Sequence, residues 1–183
     1  MPSPIGAEWI ARTEAQARPF FPQECAHGWD HVLRVRFIAV SLADAEGADH
    51  DICEAAALLH DIGRGRPAEP SSGHAAVSAE RAKPILERVG CPPEKVPVIL
   101  SAIAQHSFHQ GETPRELEAR ILQDADRLDA MGAVGIARAF MRAGEQGRSL
   151  AAAVDHFHEK LLRLQDQMHT PAARAMAARR HQI

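Results

Sequence analysis

Apolar positions along the chain recur at intervals of three and four, and they are interrupted every ten to eighteen residues by Gly, Pro, Asp or Ser. No stretch alternates with period two for long enough to be a strand. The pattern predicts a first helix over 7–17, closed by Pro19 and Pro22. A second runs from His31 to about Glu46, with Asp30 as its N-cap, Gly47 at its end and Val32, Val35, Phe37, Ile38, Val40 and Leu42 on its apolar side. Asp49 caps a third helix, which passes through Leu58, Leu59 and His60 and stops near Gly63. After a Gly-, Pro- and Ser-rich break over 63–73, helices are predicted at 74–89 and 94–107, separated by Gly90-Cys91-Pro92-Pro93. Thr113-Pro114-Arg115-Glu116 reads as a capping box opening a helix through about Met131. Further helices are predicted at 133–142, 150–168 and 171–180. There is no internal repeat. The fold class is all-α: a single compact domain over 1–183 with its core at about 20–168.

Composition agrees with that architecture. A chain of 183 residues makes one ordinary domain, and 34 alanines with no tyrosine favour helices over sheet. Twenty-one basic against 24 acidic residues give a net charge of −3, which disfavours nucleic acid or a membrane surface as partner. Cys25, Cys53 and Cys91 form no Cys-x-x-Cys pair and read as reduced thiols, so a cytoplasmic location is expected. No apolar run is long enough to span a bilayer. Glu8 and Arg12 fall where a signal peptide would need its apolar core. Eleven histidines are the unusual feature.

The chain lacks a nucleophile elbow, a Walker phosphate loop and a dinucleotide fingerprint. His27 and His31 have zincin spacing, but Gly28 stands where that chemistry needs glutamate. What remains is a dispersed set: His31, the pair His60-Asp61, His74, His106 and Asp126. A short turn between the second and third helices makes them antiparallel, returning His60 towards His31. Imidazoles with carboxylates suit a divalent transition ion, and the alternative reading of each histidine is a surface or satisfied core group.

The segments His27-Gly-Trp-Asp-His31-Val-Leu-Arg-Val35, Leu58-Leu-His-Asp-Ile-Gly63 and Gln123-Asp-Ala-Asp126-Arg-Leu-Asp129-Ala resemble the HD superfamily of metal-dependent phosphohydrolases. The run from Gln123 to Phe140 and the segment His156–Leu164 resemble its small single-domain bacterial branch. The resemblance implies an all-α fold and a metal site made by His31, His60, Asp61 and Asp126. His74 and His106 lie where some members carry ligands of a second metal; phosphate contact and structural bonding are the alternatives. Manganese leads the implied cofactors, with iron, cobalt, nickel, zinc or magnesium as alternatives and one or two ions.

Acidic residues that follow the His-Asp pair in related hydrolases are replaced here by Ile62, Gly63, Arg64, Gly65 and Arg66, so no general acid is evident. Asp129 shares a helix face with Asp126 and is a candidate orienter or proton acceptor, with a plain salt bridge as the alternative. Arg34, Arg64, Arg66 and Arg127 are candidates for phosphate binding, each weighed against a surface role. His27 is a marginal candidate. His50, His109, His156, His158, His169 and His181 are assigned no function, and Trp29, Phe37 and Met131 are assigned to the core.

The resemblance implies hydrolysis of a small phosphorylated substrate: a nucleoside triphosphate split to monophosphate and pyrophosphate, or else a nucleoside monophosphate or phosphodiester. A non-catalytic module binding metal and nucleotide is the alternative from another class. The 63–73 segment is a candidate cover for the site, and a homodimer is one option for assembly.

Overall fold

A computed structural model describes residues 4–21, 25–64, 73–107 and 114–183. The described residues form helices without a strand: α1 (Pro4–Ala17), α2 (Trp29–Glu46), α3 (His50–Leu59), α4 (His74–Val89), α5 (Val96–Gln105), α6 (Leu117–Asp129), α7 (Gly132–Glu145), α8 (Leu150–Glu159) and α9 (Pro171–Arg180). A 3-10 turn at Arg18–Phe20 follows α1, and a longer one at Leu161–Gln167 continues α8. No helix among the described residues is long and apolar enough to cross a membrane.

Local chemistry explains most boundaries. Asp49 accepts from the Ile52 N–H and caps α3. Gly47 and Gly90 take left-handed backbone at the ends of α2 and α4. Two starts differ from expectation. Helix α2 begins at Trp29 with Gly28 at its N-cap, so Asp30 lies in the first turn and faces the helix dipole instead of capping it. The expected capping box does not open α6, which starts at Leu117 with Glu116 at its N-cap and no side-chain cap bond. The Glu116 carboxylate accepts from the Gln105 amide at 3.2 Å instead, while Thr113 lies outside the described residues.

Helix α2 packs against α3 and α6, and α5 against α4, α3 and α6. Trp29, Val35, Leu42, Leu58, Leu59, Ile99, Ile103, Leu122 and Leu128 are buried between them. The core reaches beyond the expected 20–168, because Trp9 of α1 and Ala173 and Ala177 of α9 are also buried in it. Phe37 is not part of it: its side chain is exposed, whereas Trp29 and Met131 are buried as expected.

Helix α9 is fastened by a buried carboxylate. Asp124 accepts from the His169 N–H, the Thr170 N–H and the Thr170 hydroxyl at 2.8 to 2.9 Å. At the other end of the core, Gly63 lets the end of α3 close on the start of α4. A Cβ there would lie 2.6 Å from the His74 carbonyl oxygen and 2.7 Å from the Ser78 nitrogen. Its own N–H donates to the Ser78 hydroxyl.

Candidate metal centre and its cavity

The end of the bundle where α2 begins, α3 ends, α4 begins and α5 ends collects the candidate ligands. Each element contributes a terminal residue, and α6 supplies Asp126 and Asp129 from its last turn. His31 and His60 approach to 3.3 Å between their Nε2 atoms. His31 Nε2 is 3.4 Å from Asp126 Oδ1 and 3.7 Å from Asp61 Oδ2, and His60 Nε2 is 3.6 Å from the same Asp61 oxygen. Asp61 Oδ1 points the other way, 3.5 Å from His74 Nε2 and 3.4 Å from His106 Nε2. Thus His31, His60 and both accessory histidines surround the buried Asp61 carboxylate, and Asp126 joins the group through His31.

The imidazoles are oriented from behind. His31 Nδ1 donates to Asp129 Oδ2 at 2.8 Å, His60 Nδ1 to the Ala57 carbonyl at 2.7 Å, and His106 Nδ1 to the Ile103 carbonyl at 2.7 Å. An acceptor at each Nδ1 leaves the Nε2 lone pair facing the cluster, the arrangement that a metal-binding histidine needs. Asp61 Oδ1, His74 Nε2 and His106 Nε2 are buried and make no hydrogen bond among the described residues. Such orphaned atoms cost free energy unless something occupies the space between them. The ligand atoms of His31, His60 and Asp126 lie within 4.8 Å of one another, as do those of His60, Asp61 and His106. This donor set, nitrogen and oxygen without sulfur, fits a divalent first-row ion.

Burial works against the Asp61 carboxylate, but His60, His106 and Arg64 outweigh it and hold its pKa well below the usual range. Asp126 behaves likewise under the influence of His31 and His60. Burial lowers His60 and His74 to about 4, with Arg64 adding to the effect at His74. At His106 burial is outweighed by its contact with Asp61, and its pKa is raised. Asp61, Asp126, His60 and His74 are therefore held in the forms that can ligate a metal at neutral pH, whereas contact with Asp61 favours the protonated form of His106.

Asp129 lies behind His31 instead of facing the ligand atoms. It also receives Arg34 Nε at 2.7 Å, Arg34 Nη2 at 3.1 Å and Arg138 Nη1 at 3.0 Å. Arg34 consequently does not line the cavity above the cluster, contrary to expectation; it borders a separate hollow beside Phe37 and Arg180. One helical turn from His31 does place Arg34 on the same face, but the Asp129 carboxylate captures it. Arg64 donates to Asp61 Oδ2, and Arg127 donates to the Gln167 carbonyl and meets His169. Both border the cavity. Arg66 and the rest of the expected cover segment lie outside the described residues, except Gly63, Arg64 and Gly73.

The cavity has a volume of about 360 Å³ and opens onto His74, His106 and Asp126. Its far wall is the α7–α8 hairpin, where Gly135, Ala139, Ala143, Ala152 and Ala153 keep the surface low. Arg64, Arg127, Arg138, Arg142, Arg148 and Lys160 line it, and among the described lining residues Asp126 is the sole carboxylate. Four of these cations were not anticipated, although Arg138 and Arg142 at i and i+4 were a readable signal. His27 and His156 also line it. His27 packs edge-on against His31 with ring centroids 5.5 Å apart, and burial together with Arg64 lowers it to about 3. His50, His158 and His181 are not among the lining residues, and His109 is outside the described residues.

The HD domain family matches residues 28–131, which include His31, His60, Asp61 and Asp126. The Bacillus subtilis protein YpgQ is 40% identical over 167 residues, covering 87% of this chain and 80% of YpgQ. The crystal structure of Bacillus subtilis YpgQ in complex with ADP superposes with a TM-score of 0.80 at 34% identity, covering 97% of this chain and 90% of the other. An HD-superfamily hydrolase from Bacillus thuringiensis superposes with a TM-score of 0.76 at 34% identity, covering 97% and 91%. Ribonuclease Y of Clostridium perfringens is 34% identical over 100 residues, which are 55% of this chain and 18% of that enzyme. The matched segment and the two superpositions place the chain in the HD superfamily of metal-dependent phosphohydrolases.

Proposed function

We propose that this phosphohydrolase acts on a nucleoside triphosphate and releases the monophosphate and pyrophosphate. The observation that carries this reading is a cavity with six cationic side chains and one carboxylate, opening directly on the ligand cluster. A polyphosphate chain complements that charge balance, because guanidinium groups match phosphate oxygens. The ADP complex of YpgQ supports a nucleotide as the ligand class.

His31, His60, Asp61 and Asp126 hold one divalent ion, manganese foremost. Asp61 presents its second oxygen to His74 and His106, which hold a second ion where two are bound. Such an ion supplies positive charge that polarises a phosphoryl oxygen and acidifies water. The protein's own groups do the rest. Arg64 and Arg127 neutralise the phosphate oxygens, and Asp129 fixes the His31 ring.

The nature of the leaving group also favours the triphosphate. Among the described lining residues Asp126 is the sole carboxylate, which leaves only imidazoles and Lys160 to protonate a departing alkoxide. Pyrophosphate departs without that proton. The bond from water oxygen to the α-phosphorus forms as the bond to the bridging oxygen breaks, and pyrophosphate departs with that electron pair, held by arginines. The water proton passes to solvent.

The similarity to ribonuclease Y favours a phosphodiester as the second reading. A product assay separates the two. Protein stripped of metal and reloaded with manganese is offered nucleoside triphosphates, monophosphates and a phosphodiester, with the Asp61→Ala protein beside it. We expect monophosphate plus pyrophosphate, reduced at least a thousandfold in the variant. Opened diester without pyrophosphate would overturn the triphosphate reading. Orthophosphate from every substrate would do the same.

A further inference from the structure

Only the second member of the His27-x-x-x-His31 spacing belongs to the ligand cluster: among the described residues the groups close enough to share an ion are His31, His60 and Asp126, and His60, Asp61 and His106. Residue 27 also lies outside the helix. Gly28 is the N-cap of α2, and its N–H turns back to the Cys25 carbonyl at 3.0 Å. A turn of this kind has no helical ladder to fix it, and α7 fixes it instead. The Ala26 N–H donates to Glu145 Oε1 at 2.7 Å, and the Ala26 carbonyl accepts from Arg138 Nε at 2.8 Å. Residues 138 and 145 are seven apart, two turns along one face of α7. Ala26 is buried, so both of its backbone groups need these partners.

Arg138 reaches further. Its Nη1 lies 3.1 Å from the Asp129 carbonyl and 3.0 Å from the Asp129 carboxylate, which in turn accepts from His31 Nδ1 at 2.8 Å. One arginine therefore places two histidines, His31 through Asp129 and His27 through Ala26. The result is a chain of five imidazoles packed edge to face. Ring centroids are 5.5 Å apart for His27 and His31, 5.3 Å for His31 and His60, 5.1 Å for His60 and His106, and 5.1 Å for His106 and His74. His27 and His74 are its two ends, and both border the cavity. His74 faces Asp61 Oδ1. His27 stands at the opposite end, beside the ligand atoms without being one of them, where it meets whatever the cluster holds.

We propose that His27 is a catalytic residue of this phosphohydrolase, whose ring N–H donates to a non-bridging oxygen of the phosphoryl group under attack. A donor fixed in advance stabilises the charge on that oxygen without reorganising during the reaction. An imidazole carries an N–H whether charged or neutral, so the contact requires no change of protonation. The inference rests on hydrolysis at the ligand cluster, and it applies to a triphosphate and to a phosphodiester alike.

The test uses manganese-loaded His27→Phe, which keeps a ring against His31 and removes the N–H. His27→Asn and His27→Gln between them restore an N–H near the place of either ring nitrogen. Turnover is measured with ATP and with both diastereomers of its α-phosphorothioate, in which sulfur replaces one non-bridging oxygen of the attacked phosphorus. Manganese affinity is measured by competition with a chelator. The expected result is a kcat about 100-fold lower in His27→Phe, about tenfold of it regained by one of the amides, and manganese affinity within twofold of wild type. Sulfur in one diastereomer slows the wild type, and about fivefold of that penalty disappears in His27→Phe, where the oxygen has already lost its donor. A kcat for His27→Phe within threefold of wild type would overturn the inference. So would recovery by neither amide, a sulfur penalty unchanged for both diastereomers, or manganese affinity that falls in step with kcat. Wild type that opens only a phosphodiester sinks the triphosphate reading, and the same comparison with that diester and its phosphorothioates then decides the role of His27. Stoichiometric manganese without turnover of either substrate overturns both.

Discussion

The two walls of the cavity are built on opposite terms. At the ligand end, His31, His60, Asp61 and His106 are at most 2% exposed, come from three helix termini, and are each oriented by a second group. At the hairpin, α7 buries only Gly135 and Ala143, and α8 only Ala153. Val134, Met141, Leu150 and Val154 stand in solvent. A metal site needs several atoms placed to a few tenths of an ångström, which only a packed interior provides. The cations of the hairpin need no such placement and stand on an exposed helix pair. The contrast teaches that the buried His-Asp cluster and the charged hairpin belong to different structural layers, and altering one is expected to spare the other.

Breaking the ordered wall has the largest consequence. Asp129→Asn keeps the shape but removes the charge that His31, Arg34 and Arg138 share. We expect metal affinity, measured by competition with a chelator, to fall about 10- to 100-fold. Stability should fall by about 1–3 kcal/mol on denaturant unfolding, because two partly buried guanidinium groups lose their partner. Unaltered metal affinity would show that His31 needs no support from behind.

Filling the loose wall should do the reverse. Ala139→Leu places a larger side chain into the cavity from a half-buried position. The expected outcome is a KM for triphosphate raised about tenfold, with manganese affinity within twofold of wild type. Equal loss of both would mean that the two layers are mechanically one.

The smallest effect concerns pH. His27, His60 and His74 are lowered to about 3, 4 and 4, below the ordinary value of about 6.5. In the metal-free protein the unfolded chain therefore binds protons in the window between about 4 and 6.5 that the native state refuses. Stability rises with pH across that window and falls as the pH drops from 6.5 towards 4. His106, raised by Asp61, opposes this, but burial also lowers His156 and His169, so one group stands against five. A thermal midpoint lower by on the order of a few degrees at pH 5 than at pH 7 is expected. A midpoint that rose on acidification would show that these imidazoles are not held neutral.

Legibility from sequence divides along the same line. The helix boundaries set by local chemistry, such as Asp49 at α3 and the glycines at 47 and 90, were readable because cap and partner lie within four residues. That His31, His60, Asp61 and Asp126 would meet was readable through their flanking residues and the antiparallel return of α3. The partners of Glu116 and Arg34 were not, since Gln105 and Asp129 are 11 and 95 residues away. Helical spacing says which face a side chain occupies, never which distant charge waits there. The cationic hairpin escaped for a related reason. Arg142, Arg148 and Lys160 look like ordinary surface charges until α7 and α8 fold back over the ligand end, and His156 becomes a lining residue in the same way.

Asp124 carries a consequence for inheritance. It sits inside the segment shared with the HD domain family, which ends at residue 131, yet its three donors come from residues 169 and 170. A lineage that lost Thr170 would strand a fully buried carboxylate two residues from Asp126, on the helix that sets the ligand's position. Substitutions at 124 and 170 are therefore expected to be accepted together or not at all, which ties the fate of the C-terminal helix to that of the family segment it follows.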